Sequence, residues 1–379
     1  MKQHAEIAGG GIGGLGLGMM LARRGWSVRI HERSPQIREV GASVSLKNNC
    51  LAVLERYDLF AKLEPLGTKM KQALILDRDG RVMQRRDLVG QSRVYSFPRQ
   101  AVVDVLAEAA RDAGAEIVTN SHIVAAEPSG ILLDAAGKQY PADLVVAADG
   151  VRSLVRDSLG LNARVHELET LVNRYLVDTR SFTPEEVMAD HWSGHRRIGI
   201  MPSGQHRSFA FVVMSRRDLE GAKMPLNLTT WKKSHPRLSE ALDVLGQAEG
   251  FQSRYSLVHC PRWSRGRAAI VGDAAHGMPP TLGQGAGLTM MNCHALAEFV
   301  SNFKDVTQAL QEWEKTVRFI SDATARWAVR YERFVHQLPG ALGVFLRPSI
   351  VWAFGRFRFL NERMRIADKG LAVTGVRIS

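Results

Sequence analysis

The 379-residue sequence is poor in cysteine, with Cys50, Cys260 and Cys293 its full complement. None belongs to a Cys-x-x-Cys pair or stands near a histidine cluster, so neither a disulfide framework nor a zinc site is indicated and no metal is expected. The expected compartment is the reducing cytoplasm. Any run of about 18 or more apolar residues is also missing, which argues against a transmembrane span. The first residues lead directly into a strand and a glycine loop, leaving no segment that reads as a signal peptide. Internal repeats and low-complexity stretches are absent. Acidic residues are in deficit, 38 against 50 Lys and Arg, for a net charge of +12. The excess is spread along the chain with no nucleic-acid-binding motif beside it, so the expected partners are anionic small molecules rather than nucleic acid.

Glycine is plentiful and placed in order. Glu6–Ala8 reads as a short buried strand, followed by Gly9-Gly10-Gly11-Ile12-Gly13-Gly14 and an apolar helix through about Arg24. Gly25 ends the helix and Ser27–Glu32 is a second strand, a strand–helix–strand opening. Gly9, Gly11 and Gly14 fall where a tight turn, a close pyrophosphate approach and helix–strand packing each need a missing side chain. The helix N-terminus offers free N–H groups and a positive dipole end to phosphate. Glu32, ending the second strand, accepts hydrogen bonds from a ribose diol and would repel a 2′-phosphate. The adenosine half is therefore expected to be that of FAD or NAD rather than NADP.

Arg99–Ala113 has helical spacing, with Val102, Val105, Leu106 and Ala109 on one face. Glu116–Val118 and Asp143–Ala147 read as further strands of the first sheet. Ala73–Leu76 and Arg81–Arg85 flank an Asp79-Gly80 turn, a hairpin signal. Alternating stretches such as Arg197–Met201 and Ser208–Met214 predict an antiparallel sheet between about Arg164 and Gln252. Helical patterns return near Leu238–Leu245, and Ala268–Val271 is a strand before a helix over Gln284–Val300. The expected class is α/β, a Rossmann-like dinucleotide domain interrupted by a second sheet domain, with C-terminal helices. The expected boundaries are 1–70, 98–163 and 254–335 for the first, 71–97 and 164–253 for the second, and 336–379 for a helical tail.

Two later motifs complete the set. Asp149-Gly150 ends the buried strand Leu144–Ala148 and precedes Ser153 and Arg156. Gly272-Asp273 follows Ala268–Val271, and Asp273 is placed to accept from a polyol hydroxyl. Pro279, Pro280, Gly283, Gln284, Gly285, Ala286 and Gly287 then form a tight loop into a helix. Such a loop presents N–H groups and a helix dipole to the carbonyl edge of a flavin and favours its anionic reduced ring. A buried Asp that caps a helix is the competing reading for Asp273.

Gly-x-Gly-x-x-Gly with Glu32, then Asp149-Gly150, then Gly272-Asp273, resembles the class A flavoprotein aromatic hydroxylases, with a p-hydroxybenzoate-hydroxylase-like fold, from about Ala5 to Val300. Gly25–Ser34 and Trp263–Arg267 are most similar to pyridine-carboxylate oxygenases within that family. The resemblance implies that Gly9, Gly11, Ile12, Gly13 and Gly14 cradle the FAD pyrophosphate. Glu32, with Arg33 beside it, would hold the adenosine ribose. Arg99 would reach the flavin phosphates or ribityl chain, and the strand near Val124 would contact adenine through its backbone. Asp149 would support the glycine loop, Asp273 would hold the ribityl chain, and Pro280 and Gly283–Gly287 would face the isoalloxazine. A second dinucleotide fold is absent from the family, and the chain has no second Gly-x-Gly-x-x-Gly unit, so NADH or NADPH would dock transiently.

The reaction implied is hydroxylation of a hydroxylated aromatic or N-heteroaromatic (pyridine-type) acid with NAD(P)H and O₂ through a flavin C4a-hydroperoxide. Ring opening could follow it. A halogenase or reductase on the same scaffold, or a flavin carrier without turnover, are the alternatives, although no Trp-x-Trp-x-Ile-Pro halogenase segment occurs. Pro279, Pro280 and His276 would border the reaction space, with His276 either a proton carrier or a structural residue. Arg197 matches a substrate-contacting arginine and would suit a carboxylate through bidentate bonds, or else is a solvated strand residue. Phe209, Phe211, Gln72, Met201 and Met214 are candidate cavity residues. The basic aromatic tail, with Trp352, Phe354, Phe357 and Phe359, reads either as a membrane-surface helix or as a helix packed on the flavin domain or a dimer contact. A monomer or homodimer is expected.

Overall fold

The computed structural model describes residues 2–38, 42–90, 92–179, 182, 186–336, 346, 349–350, 352–353, 357–373 and 376. The glycine loop leaves a six-stranded sheet in the order Ser264–Arg265, Ala268–Ile270, Leu144–Ala147, His4–Ala8, Ser27–His31, Glu116–Val118. Every neighbouring pair is parallel except the Ser264–Arg265 edge. Strands covered on both faces must be apolar throughout, and Leu144–Ala147 is buried at each position. The helix Ile12–Ala22 is pressed between this sheet and the helix Gly285–Asn302, which is why nearly all of it is buried. Small residues make that approach possible: a Cβ on Gly18 would stand 2.5 Å from Ile30 Cδ1.

A seven-stranded sheet forms the second layer, in the order Phe251–His259, Arg164–Val177, Ser208–Ser215, Arg196–Pro202, Val187–Ser193, Gln72–Asp77, Val82–Asp87. It is mixed rather than purely antiparallel, because Gln72–Asp77 pairs parallel with Val187–Ser193. The long intervening chain supplies the crossover that a parallel pair needs. Gly80, at φ +80°, closes the expected Asp79-Gly80 hairpin. A three-stranded sheet of Ser43–Lys47, Val94–Pro98 and Thr68–Lys69 bonds to the second layer through Ser43 to Ser203 and Thr68 to Gly204, and another of Ile123–Glu127, Ile131–Asp134 and Gln139–Pro141 packs on the core of the first.

Register assigns the two faces of the large sheet. Ile198, Ile200, Ala210 and Val212 pack under Trp231, Leu242 and Leu245 of the helices Leu228–Ser234 and Ser239–Gln247. Pairing places Asp190, Trp192, Arg197, Gly199, Met201, Phe209 and Phe211 together on the other face. Three links tie that face to the flavin-side loops. Ser43 Oγ lies 2.6 Å from Ser203 Oγ. Thr281 Oγ1 donates to the Ala328 carbonyl at 3.2 Å. Tyr331, on the same long helix Val306–His336, packs with Trp192.

The three cysteines are buried free thiols. Among the described residues no helix is long and apolar enough to cross a membrane. In the tail, Trp352, Phe357 and Phe359 are exposed, and Arg363 stacks on Phe359 at 4.0 Å; Phe354 lies outside the described residues. The segment Ile366–Val373 turns back and packs against the helix Asn48–Arg56 and the Gly285–Asn302 helix.

Candidate active site

The glycine loop is shaped by contacts that forbid side chains. Gly9 adopts φ +111°, and a Cβ there would meet the Ala148 carbonyl at 2.4 Å. A Cβ on Gly14 would stand 1.9 Å from the Gly9 carbonyl oxygen. Strand, loop and helix are thus locked around one backbone turn, with Gly11 as N-cap and Ile12 and Gly13 opening the helix. Glu32 reaches back to it: its carboxylate accepts from the Gly10 N–H at 2.9 Å and from the Ser34 N–H at 2.8 Å. Arg33 beside it is exposed. Ser121 N–H donates to the Glu32 carbonyl at 2.9 Å, which brings the strand holding Val124 next to the adenosine end.

Behind Glu32 lies a buried relay not signalled by any motif. Glu6 holds His31 at 2.7 Å, His4 at 2.9 Å and Arg29 at 3.0 Å, and His31 in turn meets Ser121 Oγ at 2.7 Å. Burial would raise the Glu6 carboxyl, but the bonds to His31 and His4 and the neighbouring charges bring it below its ordinary value. These groups fix the end of the strand from which Glu32 projects.

Asp149 sits at the junction of loop and third strand. Its Oδ1 is buried without a hydrogen-bond partner among the described residues, and burial raises its carboxyl above the usual range. A buried acceptor left open costs free energy unless something donates to it, so the loop has the shape and the vacant acceptor that a dinucleotide satisfies. Asp273 begins the short turn Asp273–His276 with an exposed carboxylate, free to accept from a ribityl hydroxyl. Arg99 opens its helix as expected. Beyond the exposed Pro280, Gly283 takes the left-handed conformation, φ +59°, and the backbone turns into the N-terminus of the helix Gly285–Asn302. The residues present therefore fit FAD.

Three residues expected on the reaction side have settings that sequence spacing did not show. Arg197 is not held ready for a substrate carboxylate: Asp190 accepts from its Nε at 2.7 and 2.8 Å. The guanidinium also lies 5.0 Å from the Phe211 ring centroid and 5.8 Å from that of Trp192. Burial alone would lower its pKa, and Asp190 more than reverses this. Gln72 projects to the opposite face, since it pairs with Val187 while Arg197 pairs with Trp192; its Nε2 donates to Asp87 at 2.8 Å. His276 is 2% exposed, with its ring 5.3 Å from Trp263 and Nε2 2.9 Å from Asn292 Nδ2. Burial lowers its pKa, which favours a neutral ring.

A measurement separates the two readings of His276. His276→Gln is expected to cost roughly 1–3 kcal/mol in urea unfolding, the range for disturbing a buried hydrogen-bonded group, and to leave the shape of the kcat–pH profile unchanged. A lost or displaced limb in that profile would restore the proton carrier.

Phe209 and Phe211 do lie on the Arg197 face, with ring centroids 5.8 Å apart. Phe211 lies over Gly199, where a Cβ would stand 1.8 Å from its ring. Phe209 joins Met70, Leu88, Val94 and Met201 in one apolar cluster. Met214 instead belongs to the helix-covered face. Sequence reasoning missed Asp190, Tyr255 and Tyr331, both tyrosines pushed up to about 12 by burial. It also missed Lys47, Asn49, Arg86, Arg365 and Asp368. The strand alternation that placed Arg197 would have found Asp190 had the pairing been known.

The fold and the glycine loop are those of a FAD-dependent monooxygenase of the aromatic-hydroxylase type, as the matches to known proteins show. The chain belongs to the FAD binding domain family, whose model matches residues 2–305. It is 35% identical over 364 residues to a 2-heptyl-3-hydroxy-4(1H)-quinolone synthase of Mycobacteroides abscessus, covering 94% of this chain and 95% of that protein. A putative FAD-dependent monooxygenase of Bacillus subtilis is 27% identical over 339 residues, 83% of this chain and 88% of that one. The solved tetrameric form of 2-methyl-3-hydroxypyridine-5-carboxylic acid oxygenase matches with a TM-score of 0.88 at 27% identity, covering 100% of this chain and 99% of that one.

Proposed function

We propose that this monooxygenase hydroxylates an uncharged N-heteroaromatic ring of the 4-quinolone kind, with NADH or NADPH as reductant and O₂ as oxygen source. The observation that carries this reading is the Arg197–Asp190 pair: the cation expected to hold an acid is already neutralised, with Phe209, Phe211, Met201 and Trp192 on the face around it. An apolar, aromatic wall favours a neutral ring with an alkyl substituent over a small carboxylate. The name of the Mycobacteroides abscessus relative describes a product of that ring class.

When bound, FAD supplies the hydride acceptance and oxygen activation that no side chain provides. The protein's part is to bind, orient and keep water out. Glu32 and the glycine loop hold the adenosine diphosphate, Asp149 and Asp273 the middle, and the Gly285–Asn302 helix end favours negative charge at the flavin's carbonyl edge. Phe211, fixed against Gly199 and Arg197, sets the ring plane opposite. NAD(P)H docks and departs, with no second nucleotide loop to retain it.

The test is NADH and NADPH oxidation by the yellow holoprotein with a 2-alkyl-4(1H)-quinolone, with the product's mass recorded. Accelerated oxidation with one oxygen added to an intact ring is the expected result. Acceleration by pyridine carboxylates alone would overturn the uncharged-substrate reading, and a ring-opened mass would extend the reaction beyond hydroxylation.

A further inference from the structure

Three separate segments bring charge of unequal sign beside the flavin loop. Lys47, ending the strand Ser43–Lys47, donates from Nζ to the Leu282 carbonyl at 2.6 Å. The same Nζ is 3.7 Å from where a Cβ on Gly283 would stand. Arg86 projects from the sheet on the Arg197 face, since it pairs with Ala73 and Ala73 with Met188, two residues from Asp190. It is half-buried, and no hydrogen bond or ion pair from it is found among the described residues. Arg365 and Asp368 arrive from the C-terminal segment, paired at 2.9 Å. Gln284, in the flavin loop, donates to the other Asp368 oxygen and accepts from Asn49 at 3.0 Å.

The Asp368 charge acts on three cations, Lys47, Arg86 and Arg365, while its two oxygens already serve Arg365 and Gln284. Burial and the neighbouring arginine press Arg86 below its ordinary pKa, and burial pushes Lys47 down to about 8. Cations that repel each other in a poorly solvated place are stabilised by an anion or a strongly polar oxygen among them.

We infer that Lys47 and Arg86 form an oxyanion subsite for the exocyclic ring oxygen of the substrate, holding it on the sheet side of the flavin loop. This rests on the N-heteroaromatic reading above and deepens it. In a 4-quinolone the exocyclic oxygen carries partial negative charge from the ring nitrogen. Release of the N–H proton to solvent leaves that charge shared between the oxygen and the adjacent ring carbon. Two donors at the oxygen stabilise this form and fix which ring carbon faces the flavin. Specificity follows from the donors left unpaired when the oxygen is missing.

The experiment titrates FAD-loaded protein with 2-heptyl-4(1H)-quinolone and with 2-heptylquinoline, which lacks the oxygen, reading the flavin absorbance shift and fluorescence. Wild-type protein is expected to bind the quinolone at least tenfold more tightly than the quinoline. Arg86→Gln and Lys47→Gln are expected to lose that preference while binding the quinoline within twofold of wild type, and Arg86→Lys to recover part of it. A preference unchanged in both Gln variants, or equal loss of both ligands, overturns the subsite. Should Lys47→Gln release its flavin, Arg86→Gln on the substrate sheet carries the test. If wild type binds neither compound, the quinolone reading fails, and bromide decides the subsite separately. A saturable bromide-induced flavin shift abolished in Arg86→Gln sustains it, and equal bromide responses in both proteins refute it.

Discussion

Gly14→Ala is expected to purify colourless, with FAD affinity reduced at least about a hundredfold, ~2.8 kcal/mol at 1.4 kcal/mol per tenfold. The added Cβ would lie 1.9 Å from the Gly9 carbonyl oxygen. The obstructing atoms are Gly9 backbone and the Ala148 methyl, neither of which is the flexible end of a side chain. Relief requires the helix Ile12–Ala22 to lift away from its strand, but that helix is clamped by the sheet below and Gly285–Asn302 beside it. The loop must therefore open, and the N–H groups aimed at the pyrophosphate diverge. Flavin content by absorbance and FAD titration by fluorescence check it; yellow protein with wild-type affinity would show that the loop is not the pyrophosphate site. Gly25→Ala is the control, because open space surrounds Gly25, although its φ of +89° still costs some stability.

Asp190→Ala is expected to be the most destabilising change on the substrate face. It leaves the Arg197 guanidinium, 12% exposed, among Phe211, Trp192 and two tyrosines with its carboxylate removed. Breaking a fully buried pair costs roughly 3–5 kcal/mol. Asp190 retains 19% exposure, so water partly compensates and about 2–3 kcal/mol in urea unfolding is the expected loss. The double variant Asp190→Ala with Arg197→Met removes the stranded charge and is expected to recover most of the loss. Equal destabilisation by the single and double variants would show that packing, not charge pairing, holds this wall. Substrate affinity adds a second readout: an Arg197 that binds carboxylates would bind them more tightly once Asp190 is gone.

The dinucleotide half of the molecule was legible because its signals are local. Gly9, Gly14 and Glu32 lie within one strand–helix–strand unit, where spacing along the chain dictates spacing in space. The Asp79-Gly80 hairpin and the helix from Arg99 were legible for the same reason. Gln72 and Arg197 were not. Their parity depends on which strand pairs with which, and the parallel join of Gln72–Asp77 to Val187–Ser193 turns Gln72 away. His276 carries a motif position but is enclosed by Trp263 and Asn292, residues that come from other segments.

By itself, the sequence determined the cofactor and the architecture that holds it, since a tight glycine turn, a strand-end acid and a helix dipole act over a few residues. Tertiary structure alone decided the character of the substrate side. Whether Arg197 is a free cation depends on Asp190 across a strand pair. Whether Lys47 and Arg86 share a space depends on a sheet, a loop and a C-terminal segment converging. Charge acts through space at short range, and the chain order of those residues carries no record of their distance.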